Sequence, residues 1–165
     1  MSAEADTAPA PYRHIACCVD DSEGSRLAVA AARRLRALGP GRLSLVHVTG
    51  RPLAYDVDAS GASRPDPGDI TQAAGRWLEG LATEVPGAEA VLLQGEPARA
   101  VCAWASGADV DLLVASAHRG RVERAVRGGF ASRLARHAPC QVLLVRPAAG
   151  AAVADPAAAH PVHAT

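Results

Sequence analysis

Short apolar runs and amphipathic stretches alternate along most of this chain of 165 residues. His14-Ile15-Ala16-Cys17-Cys18-Val19 is the first run, and Asp20-Asp21-Ser22 ends it with a turn in which Ser22 is a helix N-cap candidate. Ala28, Val29, Ala32, Leu35 and Leu38 then recur at helical spacing until Gly39-Pro40 stops them. Leu43 to Val48 predicts a second strand, closed by Gly50. Ile70, Ala73, Ala74, Trp77, Leu78 and Leu81 make one apolar stripe on a helix over 68–85, which ends near Pro86-Gly87. Ala90-Val91-Leu92-Leu93 is the third strand, followed by Gly95 and by a helix that Pro97 opens and that runs through Val101 and Trp104. Leu112-Leu113-Val114-Ala115, a helix over 129–137 and Gln141 to Val145 complete the series.

The strand runs are continuous rather than alternating. That is the pattern of strands covered by helices on both faces of a parallel sheet. Alternating strands and helices with short connections predict an open, doubly wound α/β domain with a five-stranded parallel sheet and helices on both faces. Such sheets hold their ligands outside the carboxyl ends of the strands, where the strand order reverses. The chemistry is therefore expected near Asp20, Gly95 and the stretch after Ala115. Residues 50–67 carry turn and polar residues without an element, which reads either as a flap beside the ligand cleft or as a tolerated insertion. Residues 1–11 and 148–165, rich in Ala, Pro and small polar residues, read as disordered tails around a single domain at 12–147.

Composition narrows the chemistry. All 17 basic residues are Arg, and without Lys neither a Schiff base nor a P-loop lysine is available. A formal net charge of zero gives no reason to expect a nucleic acid or a membrane as partner. No stretch approaches the roughly 20 apolar residues that span a bilayer. Met1 to Pro11 has neither the basic region nor the apolar run of a secretory leader, so a cytoplasmic protein is expected. Cys17, Cys18, Cys102 and Cys140 lack metal-ligand spacing and read as free thiols, with the adjacent pair pointing to opposite sheet faces. No metal is expected, and His160 and His163 lie in a tail too poor in ligands to hold one. Charge is split along the chain: residues 1–118 hold 15 acids and 10 Arg, whereas 119–165 hold 2 acids and 7 Arg. That asymmetry suits subunit docking or anion binding equally.

Several segments in order resemble one family. Val19-Asp20-Asp21-Ser22-Glu23-Gly24-Ser25 is similar to the opening of universal stress proteins, as are Val46-His47-Val48 and Gly95-Glu96-Pro97 further on. Asp111-Leu112-Leu113-Val114 and Arg136-His137-Ala138-Pro139-Cys140-Gln141-Val142-Leu143-Leu144-Val145 carry the most specific similarity. The resemblance covers residues 12–147 and implies strand order 3-2-1-4-5, frequent homodimers, a part in stress survival and, in many members, bound ATP. ATP-binding members have a loop in which Gly, two residues, Gly, nine residues and Gly are followed by Ser or Thr. Glycines there let backbone N–H groups approach phosphates, and the hydroxyl adds a donor. Anchoring on His137-Ala138-Pro139-Cys140 puts Ala115 at the first Gly, His118 at the second, Gly128 at the third and Gly129 at the Ser or Thr. Asp20 matches the acidic position beside the nucleotide.

The nucleotide cleft is therefore expected at Asp20, Ala115, His118, Gly128 and Gly129, with ATP bound weakly or not at all. Arg119, Arg121, Arg124, Arg127, Arg133 and Arg136 against Glu123 offer a phosphorylated small molecule a second means of binding, or else form a solvated helix face. Other readings fare worse. A receiver domain would need an aspartate where Gln94-Gly95 stands, and a lysine. A flavin carrier would need a Ser/Thr-Gly phosphate loop after the first strand and stacking aromatics, which are only 3% here. Ser22, His118 and Asp20 contain the residue types of a triad, but no Gly-x-Ser-x-Gly elbow is present, so no catalytic residue is expected. His47 in its apolar run and His137 at a helix end read as structural. The expected function is a stress-response regulatory and binding module with a degenerate nucleotide loop; the alternative is an ATP-binding member with slow or no hydrolysis. The apolar fifth strand at a sheet edge adds the expectation of a homodimer through it.

Overall fold

The computed structural model describes residues 11–50, 67–117 and 129–146. The expected tails beyond Pro11 and Arg146, most of the 50–67 connection, and the segment with His118, Gly128 and Arg119 to Arg127 lie outside the described residues. Along the rest run β1 (His14–Cys18), α1 (Glu23–Arg36), β2 (Arg42–Thr49), α2 (Pro67–Thr83), β3 (Ala88–Gln94), α3 (Pro97–Gly107), β4 (Leu112–Ser116), α4 (Phe130–His137) and β5 (Gln141–Val145). The strands form one sheet in the order β3-β2-β1-β4-β5, with every neighbouring pair parallel. This is the expected doubly wound α/β architecture.

Side-chain alternation explains the continuous apolar runs. Ile15 and Cys17 join Leu43, Leu45, Leu112 and Val114 in one layer, closed by Ala28, Val29 and Ala32 of α1 and Leu78 of α2. Ala16 and Cys18 point the other way, into a layer with Val46, Leu113, Ala115, Val101 and Ala105 of α3 and Leu134 of α4. A central strand is thus apolar at every position, and each large side chain it buries contributes roughly 1.5–3 kcal/mol. The edge strands are more exposed. On β3 the exposed Glu89 pairs with Arg42 of β2 at 3.6 Å. For that reason β3 begins two residues before the apolar run Ala90 to Leu93 and ends one residue after it: polar residues on an open edge leave no apolar trace.

Caps start the helices where the sequence predicts. Ser22 Oγ accepts the Ser25 N–H at 3.3 Å to open α1. Glu96 opens α3 ahead of Pro97, its carboxylate accepting from Arg99 N at 2.9 Å and Ala98 N at 3.4 Å. The Arg99 and Ala98 N–H groups, with Arg133 nearby, hold the Glu96 carboxyl below the ordinary glutamate value. Glu96 Oε1 also accepts from Arg133 Nη1 at 2.6 Å, which ties α4 to α3.

The amino ends of the strands are closed by a hydrogen-bonded knot around the buried His14 and Ser44. Asp111 accepts from Arg13 N at 2.8 Å and His14 N at 3.0 Å, and Asp111 N donates back to the His14 carbonyl at 3.1 Å. His14 Nδ1 donates to the Ala108 carbonyl at 2.9 Å, so Nε2 is left to accept from Ser44 Oγ at 2.8 Å. Beside them Gly41 passes so close to Tyr12 that a Cβ would lie 2.1 Å from its carbonyl oxygen. Among the described residues no helix is long and apolar enough to cross a membrane.

Candidate functional site

The carboxyl ends of the strands open onto a cleft of about 590 Å³. It straddles β1 and β4, where the order of the sheet reverses and successive connections leave to opposite faces. Three helix N-termini reach it: α1 and α4, which are finished differently, and α3, which starts at Pro97 behind its Glu96 cap.

At the first, β1 runs out into Asp20, whose Oδ1 accepts from Ser22 N at 3.1 Å, from Ser25 Oγ at 2.5 Å and from Ser22 Oγ. Asp20 N in turn donates to Ser25 Oγ at 2.8 Å. A carboxylate and a hydroxyl therefore already complement the positive end of the α1 dipole. The second is α4, whose N-cap Gly129 brings no side-chain hydrogen bond and whose first turn has no acid. Gly129, Phe130, Ala131 and Ser132 line the cleft, so this helix turns its first N–H groups towards it. Arg146, one residue past β5, supplies a cation to the same cleft, and Ser116, the last residue of β4, forms the lip with Ala117. Ala117 N donates to the Val145 carbonyl at 2.8 Å, holding that lip against β5.

Cys18 sits on the floor with Val46, Val101 and Leu144. Burial, with Cys102 and Cys140 nearby, pushes its thiol up to about 12, so it stays protonated and is a poor nucleophile. On the far wall, His47 Nδ1 donates to the Val19 carbonyl at 2.8 Å, and the ring meets Trp77 edge-on with centroids 5.1 Å apart.

An open parallel sheet with a cleft at its reversal point, a helix N-terminus whose N-cap is Gly129 and an arginine make an α/β domain whose cleft is suited to an anionic group. The chain belongs to the universal stress protein family, whose pattern it matches over residues 11–146. It is 42% identical over 65 residues to a Thermus aquaticus protein described as "Universal stress protein in QAH/OAS sulfhydrylase 3'region". That match covers 39% of this chain and 47% of the relative, so about half of the relative's length is spanned. A universal stress protein solved in complex with cAMP superposes with a TM-score of 0.60 at 21% identity, covering 81% of this chain and 97% of that one. The universal stress protein from Archaeoglobus fulgidus in complex with dAMP gives 0.55 at 21% identity, again over 81% and 97%. At such identities the structures establish the fold.

The structure brings two of the five expected site residues together on the cleft, Asp20 and Gly129. His118 and Gly128 lie outside the described residues. Ala115 is placed elsewhere: it is the fourth residue of β4, opposite Leu144, with its side chain buried beside Leu113 and Leu134. The lip begins at Ser116, one residue later than the anchored register puts it. No non-glycine residue near it has positive φ, so the backbone at Ala115 asks for no glycine. Sequence reasoning missed Ser25, Ser116, Ser132, Arg146 and the place of His47 on the cleft lining. Arg146 had a readable signal, a charge directly after an apolar strand at its carboxyl end; Ser25 had another, three residues after an N-cap serine.

Proposed function

We propose that the chain is a non-enzymatic stress-response module whose cleft takes a nucleoside phosphate, with the phosphate at the N-terminus of α4. The observation that carries this reading is the contrast within one cleft: α1 is capped by Ser22 and backed by Asp20, whereas the N-cap of α4 is Gly129, which brings no side-chain bond, and Arg146 lines the same cleft. A helix start of this kind offers several N–H donors and a favourable dipole to a phosphate. A cleft of about 590 Å³ is of the ordinary size for a small-molecule ligand. Solved relatives of the same fold hold cAMP and dAMP, which makes a monophosphate the first ligand to try.

ATP binds weakly in this reading, with a Kd of about 0.1 mM or higher. The resemblance leaves Gly128 as the one retained position of four in the triphosphate loop. Calorimetric titration with AMP, cAMP, dAMP and ATP tests it. A monophosphate is expected to bind, and Arg146→Ala to weaken that binding about tenfold through loss of a charged hydrogen bond. Micromolar ATP affinity would favour the ATP-binding alternative. No binding of any of the four would end the nucleotide reading.

We also propose a homodimer through β5. Its support is an edge strand with Val142, Leu144 and Val145 half-buried and Leu143 exposed, an unpaired apolar edge that a second copy would cover. Light scattering at micromolar concentration is expected to read twice the chain mass, and a monomer throughout would overturn this proposal.

A further inference from the structure

His47 has half of its hydrogen-bonding capacity engaged. The Val19 carbonyl can only accept, so Nδ1 carries the proton and Nε2 presents a lone pair. Among the described residues no protein group meets Nε2. No buried polar side-chain atom there lacks a partner either, so this nitrogen is open to solvent. His47 is among the residues that line the cleft, with Val19 and Asp20.

The ring is also held in place. Val19 N donates to the Val46 carbonyl at 2.9 Å, so the peptide that anchors Nδ1 is fixed by the sheet. Trp77 of α2 packs edge-on at an interplanar angle of 72°, limiting rotation of the imidazole. An acceptor with a set tautomer and a set orientation loses little entropy when it binds a partner. The other side chains at the cleft differ in kind: Ser116 and Ser132 carry rotatable hydroxyls, Arg146 donates only, and the Asp20 carboxylate is engaged by Ser22 and Ser25.

We infer that His47 Nε2 accepts a hydrogen bond from a hydroxyl or amine of the nucleoside held in the cleft, and so selects ligands that present a donor there. The inference rests on the nucleotide reading above and adds the residue that reads the uncharged part of the ligand. It assigns His47 to recognition, not to catalysis. A purely structural strand-end histidine would satisfy Val19 and pack on Trp77 in the same way, so the test must address Nε2 itself.

Nitrogen NMR of the ¹⁵N-histidine-labelled protein does so without any substitution. In the free protein the His47 Nδ1 resonance is expected in the protonated range and Nε2 in the unprotonated range. Saturating AMP is expected to move Nε2 and leave Nδ1 in place. His47→Asn complements this, because its amide nitrogen can still donate to Val19 while the acceptor at the Nε2 position is gone. It is expected to weaken AMP binding about three- to tenfold, the worth of one hydrogen bond. Weaker binding of 2′-deoxy-AMP by the unaltered protein would identify a sugar hydroxyl as the donor, and weaker binding of purine riboside monophosphate would identify the exocyclic amine. If AMP binds while Nε2 does not move and His47→Asn binds as well as the parent, the inference fails and the nucleotide reading stands. If the unaltered protein binds no nucleotide, the nucleotide reading fails and takes this inference with it.

Discussion

His14 and His47 lie on neighbouring strands at opposite ends of the sheet, and each donates Nδ1–H to a main-chain carbonyl. Each also meets a tryptophan edge-on, Trp104 for His14 and Trp77 for His47. They differ in the second nitrogen. His14 Nε2 is met by Ser44, which is fully buried, whereas His47 Nε2 has no hydrogen-bond partner among the described residues. The same difference runs through each end of the domain. The amino end is locked by Asp111 and by a glycine with no room for a side chain, while the carboxyl end leaves donors and acceptors unspent. A buried polar group is worth having only when fully partnered, so one end serves stability. The other can bind because its groups stay accessible.

The largest effect that tests this contrast is on stability. His14→Ala leaves the Ser44 hydroxyl and the Ala108 carbonyl without their partner and opens space beside Trp104. Urea unfolding is expected to show a loss of about 3 kcal/mol. For His47→Asn, which retains the Val19 bond in a half-exposed position, the expected loss is about 1 kcal/mol or less. Equal losses at the two positions would erase the distinction between a closed end and an open one.

Much of the closed end and little of the open end was legible in the sequence. Central strands announce themselves because both faces are apolar, so β1, β2 and β4 stand out as continuous runs. Ser22 and Pro97 mark their helix starts through local chemistry that needs no tertiary context. The ends of β3 were not readable, because Glu89 and Gln94 lie on an edge where polar residues cost nothing. Ala115 shows a different limit. A register carried from an anchor twenty-odd residues away has no means of sensing where β4 stops, and hydrogen bonding carries the strand through Ser116. His47 was recognised as a strand-end residue; whether its second nitrogen is used depends on what the fold brings near, which no spacing encodes.

The smallest expected effect comes from a glycine at the open end. Gly41 at the closed end admits no Cβ, but a Cβ on Gly129 would meet nothing within 4 Å. Gly129 has φ −60° and ψ 171°, an extended conformation that serine adopts without strain. Gly129→Ser therefore places a hydroxyl at the N-cap of α4, where it can bond either the helix's own N–H groups or a ligand phosphate. Without ligand the gain in stability is expected to be a few tenths of a kcal/mol, as for serine against glycine at other N-caps. With AMP the hydroxyl becomes a further donor to the phosphate, and affinity is expected to rise about threefold, close to 0.65 kcal/mol. Unfolding curves and calorimetry on the same variant separate the two roles. A gain in stability with a loss of AMP affinity would mean that the new hydroxyl caps α4 at the ligand's expense, making the open end behave like the start of α1. A gain in stability with unchanged AMP affinity would place the phosphate away from α4 and break the link between the uncapped helix and ligand binding.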